Sequence, residues 1–119
     1  VTTDSKTDPS CIFCRIVRRE VPSTAVFEDD DFYAFRDISP RAPTHVLVIP
    51  KTHIARLSDT GPGDAPLLAR LFLAVAAVAR AEKVADYRLV VNNGAKAGQS
   101  VDHLHAHLLA GRSFHWPPG

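Results

Sequence analysis

The chain has 119 residues, 45% of them hydrophobic and 23% charged, which is the size and make-up of one compact domain with an ordinary core. Fourteen Lys and Arg against thirteen Asp and Glu leave a formal charge of +1, which argues against the strongly basic surface that binding long nucleic acid requires. No apolar stretch reads as both long enough and charge-free enough to span a bilayer, and the opening VTTDSKTDPS lacks a secretory signal's basic start and apolar middle. A cytoplasmic protein with neither membrane nor nucleic-acid partners is therefore expected.

Residues 1–10 are polar and contain Pro9, so they read as a disordered tail ahead of a single domain over 11–119. CIFCRIVRRE carries apolar residues at 12, 13, 16 and 17, the spacing of one short helix, which Pro22 is expected to stop for want of an amide hydrogen. AVFEDDDFYAFRD and HVLVIP are rich in Val, Ile, Phe and Tyr and read as strands, with Glu28 to Asp31 as a hairpin turn. DISPRAPT, with two prolines, is loop, and THIARLSD after Pro50 predicts a brief helix with Thr52 near its start. The Ala- and Leu-rich run from Ala65 to Val84 predicts the one long helix, after the breakers Gly61 and Gly63. YRLVVNN is a strand, GAKAGQS a loop, and VDHLHAHLLA a last strand. Four or five antiparallel strands with one long helix and one or two short ones make the class α+β.

The last strand holds three of the six histidines at every second position. Side chains alternate across a strand, so His103, His105 and His107 share one face, about 7 Å apart, while Leu104, Ala106 and Leu108 point into the core. A polar outer face would accept one histidine as readily as a threonine; three titratable rings at period two point to catalysis or metal binding. Cys11 and Cys14, three positions apart, make a poor disulfide framework and a common half of a metal site, with a pair of reduced thiols as the alternative.

HLHAHLL resembles the signature of the histidine triad (HIT) family, His-x-His-x-His followed by two apolar residues. CIFCRI, AFRDISPRAPTHVLVIPKTHI, VVNNGAKAGQSVDHLHAHLLAGR and the terminal HWPPG extend the likeness from Cys11 to Gly119, toward the branch of histidine triad nucleotide-binding proteins, the Hint phosphoramidases. The resemblance implies a sheet of about five antiparallel strands with the long helix packed on it, and a homodimer through a shared sheet. It implies hydrolysis of purine nucleoside 5′-monophosphoramidates, releasing an amine and AMP or GMP through a covalent nucleotidyl-histidine. Two rivals stay open: cleavage of dinucleoside polyphosphates or nucleotidyl transfer, as in other HIT branches, and a non-catalytic purine nucleotide-binding interaction protein.

Residue by residue, the resemblance makes His105 the nucleophile, whose attacking nitrogen must be free of a proton while the other donates to a carbonyl that the sequence does not identify. His107 would stabilise the phosphoryl oxygens. Ser100 would pass a proton to the leaving amine, with Gln99 and the loop amides around Gly98 holding phosphate, although a plain turn would also need glycine there. The purine slot falls to Ile12, Phe13, Ile16, Phe35 and Ile38, which also suit simple core packing. Asp37 would accept both ribose hydroxyls or serve as a turn residue, and Asn92 would form a polar wall. His45 would support the nucleophile's orientation or cap a strand as a structural histidine. With Cys11 and Cys14, the resemblance supplies His53 and His103 as the other ligands of a structural Zn²⁺, no cofactor being needed for the chemical step. Trp116 in HWPPG would set amine specificity at the partner's site or be buried at the dimer seam.

Overall fold

A computed structural model describes residues 7–119. Helix α1 spans Ile12–Val17, strand β1 Ala25–Glu28, β2 Phe32–Arg36, β3 Thr44–Pro50, helix α2 Ala65–Ala81, β4 Tyr87–Val90 and β5 Ala106–Ala110. The strands form one antiparallel sheet in the order β1-β2-β3-β5-β4, so the expected class and architecture hold.

Period-two alternation gives this sheet two different faces. Phe32 and Ala34 of β2, Val46 and Val48 of β3, and Ala106, Leu108 and Ala110 of β5 face α2, whose Leu71, Ala74, Val75, Val78 and Ala79 form its buried stripe. The residues between them, Tyr33 and Phe35, then Leu47 and Ile49, face α1, which contributes Phe13, Cys14 and Ile16. Register aligns Phe35 with Leu47 and Leu47 with His107. That row across three strands floors the cleft described below.

Several expectations need correction. The proposed tail divides: residues 1–6 lie outside the described residues, whereas Asp8 and Ser10 form a turn whose Asp8 carbonyl accepts the Cys11 amide. Helix α1 ends at Val17, before Pro22 comes into play, because Arg19 turns to φ +66°. THIARLSD makes only a single 3₁₀ turn at Leu57–Asp59, since its preceding residues are drawn out to pair Leu104 N with the Ile54 carbonyl. The final strand starts at Ala106; His103 and His105 lie in the segment leading into it. Pro62–Ala81 is, by length and composition, apolar enough to cross a membrane, contrary to the sequence reading; in the fold it lays its buried stripe on the sheet.

Candidate functional site

The α1 face of the sheet carries a cleft of about 320 Å³, within the size range of small-molecule sites. Ile12, Phe13, Ile16, Phe35 and Ile38 line its apolar part, and Asp37, Ser100, His105 and His107 line the rest. All nine are residues that the sequence singled out. Val21, Pro22, Leu47 and Val101 also line it. Of these, only Leu47 left a signal: it lies two residues from His45 on β3, on the same face of the strand.

His105 sits in the segment before β5, nearly buried, and its Nδ1 is 2.7 Å from the His103 carbonyl. A carbonyl only accepts, so Nδ1 carries the proton and Nε2 keeps its lone pair. This is the tautomer-fixing carbonyl that the sequence could not name. Burial, the largest influence, lowers the His105 pKa and keeps the ring neutral. Phe13 abuts it edge-on, centroids 5.2 Å apart. His107 follows at 4.9 Å between ring centroids, closer than the expected 7 Å, because His105 is turned by its bond to His103 and is not paired in the ladder.

His107 has its own tautomer control. The Arg41 amide donates to His45 Nδ1 at 3.0 Å, so the neutral His45 carries its proton on Nε2. That Nε2 is 3.0 Å from His107 Nδ1 and 3.4 Å from the Asp37 carboxylate. His107 Nδ1 therefore accepts, and its proton lies on Nε2, the nitrogen left for the cleft. Burial first, then the neighbouring His105 and His45, pushes the His107 pKa down to about 4, and burial also lowers that of His45. His45 thus touches His107 rather than the presumed nucleophile. Asp37 serves the turn, its Oδ1 accepting the Ser39 amide, and its side chain also lines the cleft.

Three expected contacts are not in the cleft. Gln99 is buried, with its Oε1 accepting from the Gly94 amide and its Nε2 donating to the carbonyls of Ala55 and Val101; its side chain braces the loop. The amides of Gly98 and Gln99 donate to Ala95 and Gly94 within the same loop, and Gly98 is required by its φ of +101°. Asn92 lies against Gly98. Periodicity cannot see such loop closure. Trp116 is exposed on the C-terminal arm and does not line this chain's own cleft.

A second cluster lies at the N-terminal end of α1. Cys11 Sγ is 3.4 Å from His103 Nδ1; Cys14 Sγ is 3.3 Å from His53 Nδ1 and 3.6 Å from His103 Nδ1; the two Nδ1 atoms are 3.2 Å apart. With metal bonds of about 2.0–2.3 Å, tetrahedral edges come to roughly 3.3–3.7 Å, so these separations fit one zinc. His103 Nε2 donates to the Pro50 carbonyl at 2.7 Å, which leaves Nδ1 bare and aimed at the thiols, the outer-shell arrangement of a metal-ligating histidine. Asp8 stands 4.0 Å from His53 Nε2 and donates its amide to Cys14 Sγ. Burial pushes the Cys14 thiol up to about 11, so the thiolate here needs a cation beside it.

Asp37, His45 and His107 are also close enough to hold a metal, but the chemistry does not fit. Ligation through His45 Nε2 would move the proton to Nδ1, straight against the Arg41 amide.

Comparison with known proteins agrees with this geometry. The HIT domain model matches residues 18–114. A HIT family hydrolase from Legionella pneumophila superposes with a TM-score of 0.89 at 49% identity, over 92% of this chain and all of the other. A 14 kDa zinc-binding protein of Zea mays is 44% identical over 115 residues, 94% of this chain and 90% of the relative. A histidine triad nucleotide-binding protein from Candida albicans superposes with a TM-score of 0.77 at 35% identity, covering 92% of this chain and 85% of that one. With its three alternate histidines set on a fold shared with these relatives, this chain belongs to the HIT domain family.

Proposed function

We propose that the protein hydrolyses purine nucleoside 5′-monophosphoramidates by way of a nucleotidyl-His105 intermediate. The observation that carries this is the proton held on His105 Nδ1 by the His103 carbonyl, which leaves Nε2 unprotonated in a cleft with His107 alongside. The hydrolase and nucleotide-binding descriptions of the structural relatives support the same reading.

The base enters the apolar part of the cleft and Asp37 accepts the ribose hydroxyls. The Nε2 lone pair of His105 attacks phosphorus, the P–N bond to the amine breaks, and the leaving nitrogen takes the Ser100 hydroxyl proton, which solvent water replaces. His107 Nε2–H donates to the phosphoryl oxygens as their charge grows. Water then attacks phosphorus, gives up a proton, and displaces His105 with its lone pair restored. Cys11, Cys14, His53 and His103 would hold a zinc, which would serve structure by pinning α1 to the sheet beside the base slot, since four protein ligands would leave no open position.

We also propose a homodimer. Phe72 and Leu73 stand exposed side by side on α2, and Tyr87 on the edge strand β4. Trp116 would then serve the partner's cleft, selecting among amines.

Mass spectrometry after mixing with an AMP amidate should find one nucleotidyl group on His105. An adduct elsewhere, or turnover that persists in His105→Ala, removes the mechanism. Faster cleavage of diadenosine polyphosphates than of amidates would move the protein to another branch of chemistry, and tight AMP binding without turnover of either would make it a binding protein.

A further inference from the structure

The loop of residues 37–43 joins the ribose-facing carboxylate to the paired histidines, and it is clamped from outside by the chain that leaves β5. Gly111 turns at φ +96°, and a Cβ there would lie 2.8 Å from Cβ of Pro43, so strand exit and loop are in close contact. Next along, Arg112 Nε donates to the Arg41 carbonyl at 3.0 Å. Arg41 is the residue whose amide points at His45 Nδ1. Its carbonyl and amide are thus both engaged, one by the exiting chain and one by the histidine pair, and with both ends held the residue has little freedom to rotate its amide away.

The same guanidinium belongs to the C-terminal arm. It lies 4.2 Å from the centroid of the Phe114 ring and donates from Nη1 to the Ser113 carbonyl. Arg88 of β4 also faces that ring, at 5.3 Å, and donates to the His115 carbonyl. The arm bearing Trp116 therefore hangs from two arginines, one of which also fixes Arg41.

We propose that Arg112 is a positioning residue: by holding the Arg41 carbonyl it keeps the Arg41 amide on His45 Nδ1, which forces the proton of His107 onto its cleft-facing Nε2. Without the amide, His45 can place its proton on either nitrogen, and His107 can then present a bare Nε2 that repels phosphoryl oxygens. The catalytic consequence rests on the role given to His107 above; the tautomer consequence does not.

The test reads both separately. Nitrogen-15 NMR of histidine-labelled full-length protein, without substrate, should show single tautomers for His45 and His107 in the wild type. Arg112→Ala should add the Nδ1-protonated form of His107, and kcat on an AMP amidate should fall about three- to tenfold, the worth of one ordinary hydrogen bond, with KM within about twofold. Arg112→Lys, which keeps a donor within reach of the carbonyl, should restore the single tautomer. Gly111→Ala pushes the same loop at Pro43 and should mix the tautomers in the same way. Phe114→Ala, which loosens the arm without removing the donor to Arg41, should leave them unmixed. An Arg112→Ala protein with the wild-type nitrogen spectrum overturns the proposal, as does a kcat loss that Arg112→Lys fails to recover. If the wild type turns over no amidate while the spectra change as expected, the proposed activity falls and the wiring stands.

Discussion

Two histidine clusters lie on the same face of this sheet, linked by the short step from His103 to His107, and they are built for different charges. In both, the decisive atom is the one behind the ring. Behind His103 stands the Pro50 carbonyl, which accepts a hydrogen bond from Nε2–H and leaves a bare Nδ1 toward two thiols. Behind His45 stands the Arg41 amide, which occupies Nδ1 and sends the proton forward to His107. One backbone acceptor leaves a bare ring nitrogen; one backbone donor leaves a ring N–H. Ligand-atom separations alone place both groups within reach of a metal, so residue type and spacing do not tell them apart. Hydrogen-bond direction does.

The largest expected effect breaks the donor cluster at its reacting neighbour. His105→Ala should lower turnover of an AMP amidate by several orders of magnitude with AMP affinity kept, the pattern for loss of a covalent nucleophile; a loss of less than tenfold, measured in single turnovers, would contradict it. The metal cluster is tested next by zinc content. About one zinc per chain is expected in the purified protein, falling to near zero in Cys14→Ser with a drop of about 10 °C or more in Tm. Two zinc ions per chain would erase the distinction between the clusters.

His45→Ala sharpens the comparison. It frees His107 Nδ1 to take the proton, so kcat should fall by about 10–100-fold, less than the roughly 100- to 1000-fold lost when an oxyanion donor is removed outright, because part of the population keeps the proton on Nε2, with KM little changed and zinc content unaffected. Asp37→Asn should chiefly reduce discrimination between ribose and deoxyribose substrates, by about tenfold, as read from the ratio of kcat/KM values.

The smallest effect is on stability against pH. His107 is neutral in the fold down to about pH 4, against an ordinary value of 6.5. Below pH 6.5 the unfolded chain binds a proton that the folded chain refuses, so stability is complete above 6.5, declines toward pH 4, and is flat below that as far as this group is concerned. Tm measured from pH 7.5 to 4 should fall less steeply in His107→Asn than in the wild type; parallel curves would show that His107 does not contribute.

Much of the site was legible because it follows alternation. His103, His105 and His107 share a face with Leu47 and Phe35 by the same two-residue rule that sends Leu104, Ala106 and Leu108 to the helix side. The errors lie where the chain leaves regular structure. Gln99 looked like a phosphate contact and is a brace, since a buried amide must satisfy its donors and acceptor wherever the loop offers partners. Asp8, assigned to a disordered tail, stands with its carboxylate 4.0 Å from His53 Nε2 because the turn from Asp8 to Cys11 leads directly into α1.

The sequence by itself determined the class, the two faces of the sheet and the Cys11–Cys14 pair, because local period and residue chemistry are written in neighbouring letters, while the likeness to a known family supplied His53, His103 and much of the cleft lining. Only the tertiary structure decided where the protons sit. Pro50, Arg41 and the His103 carbonyl act through backbone groups that every residue of their kind possesses, so nothing in their identity announces the task; folding gives it to them by bringing one donor or acceptor to one ring nitrogen.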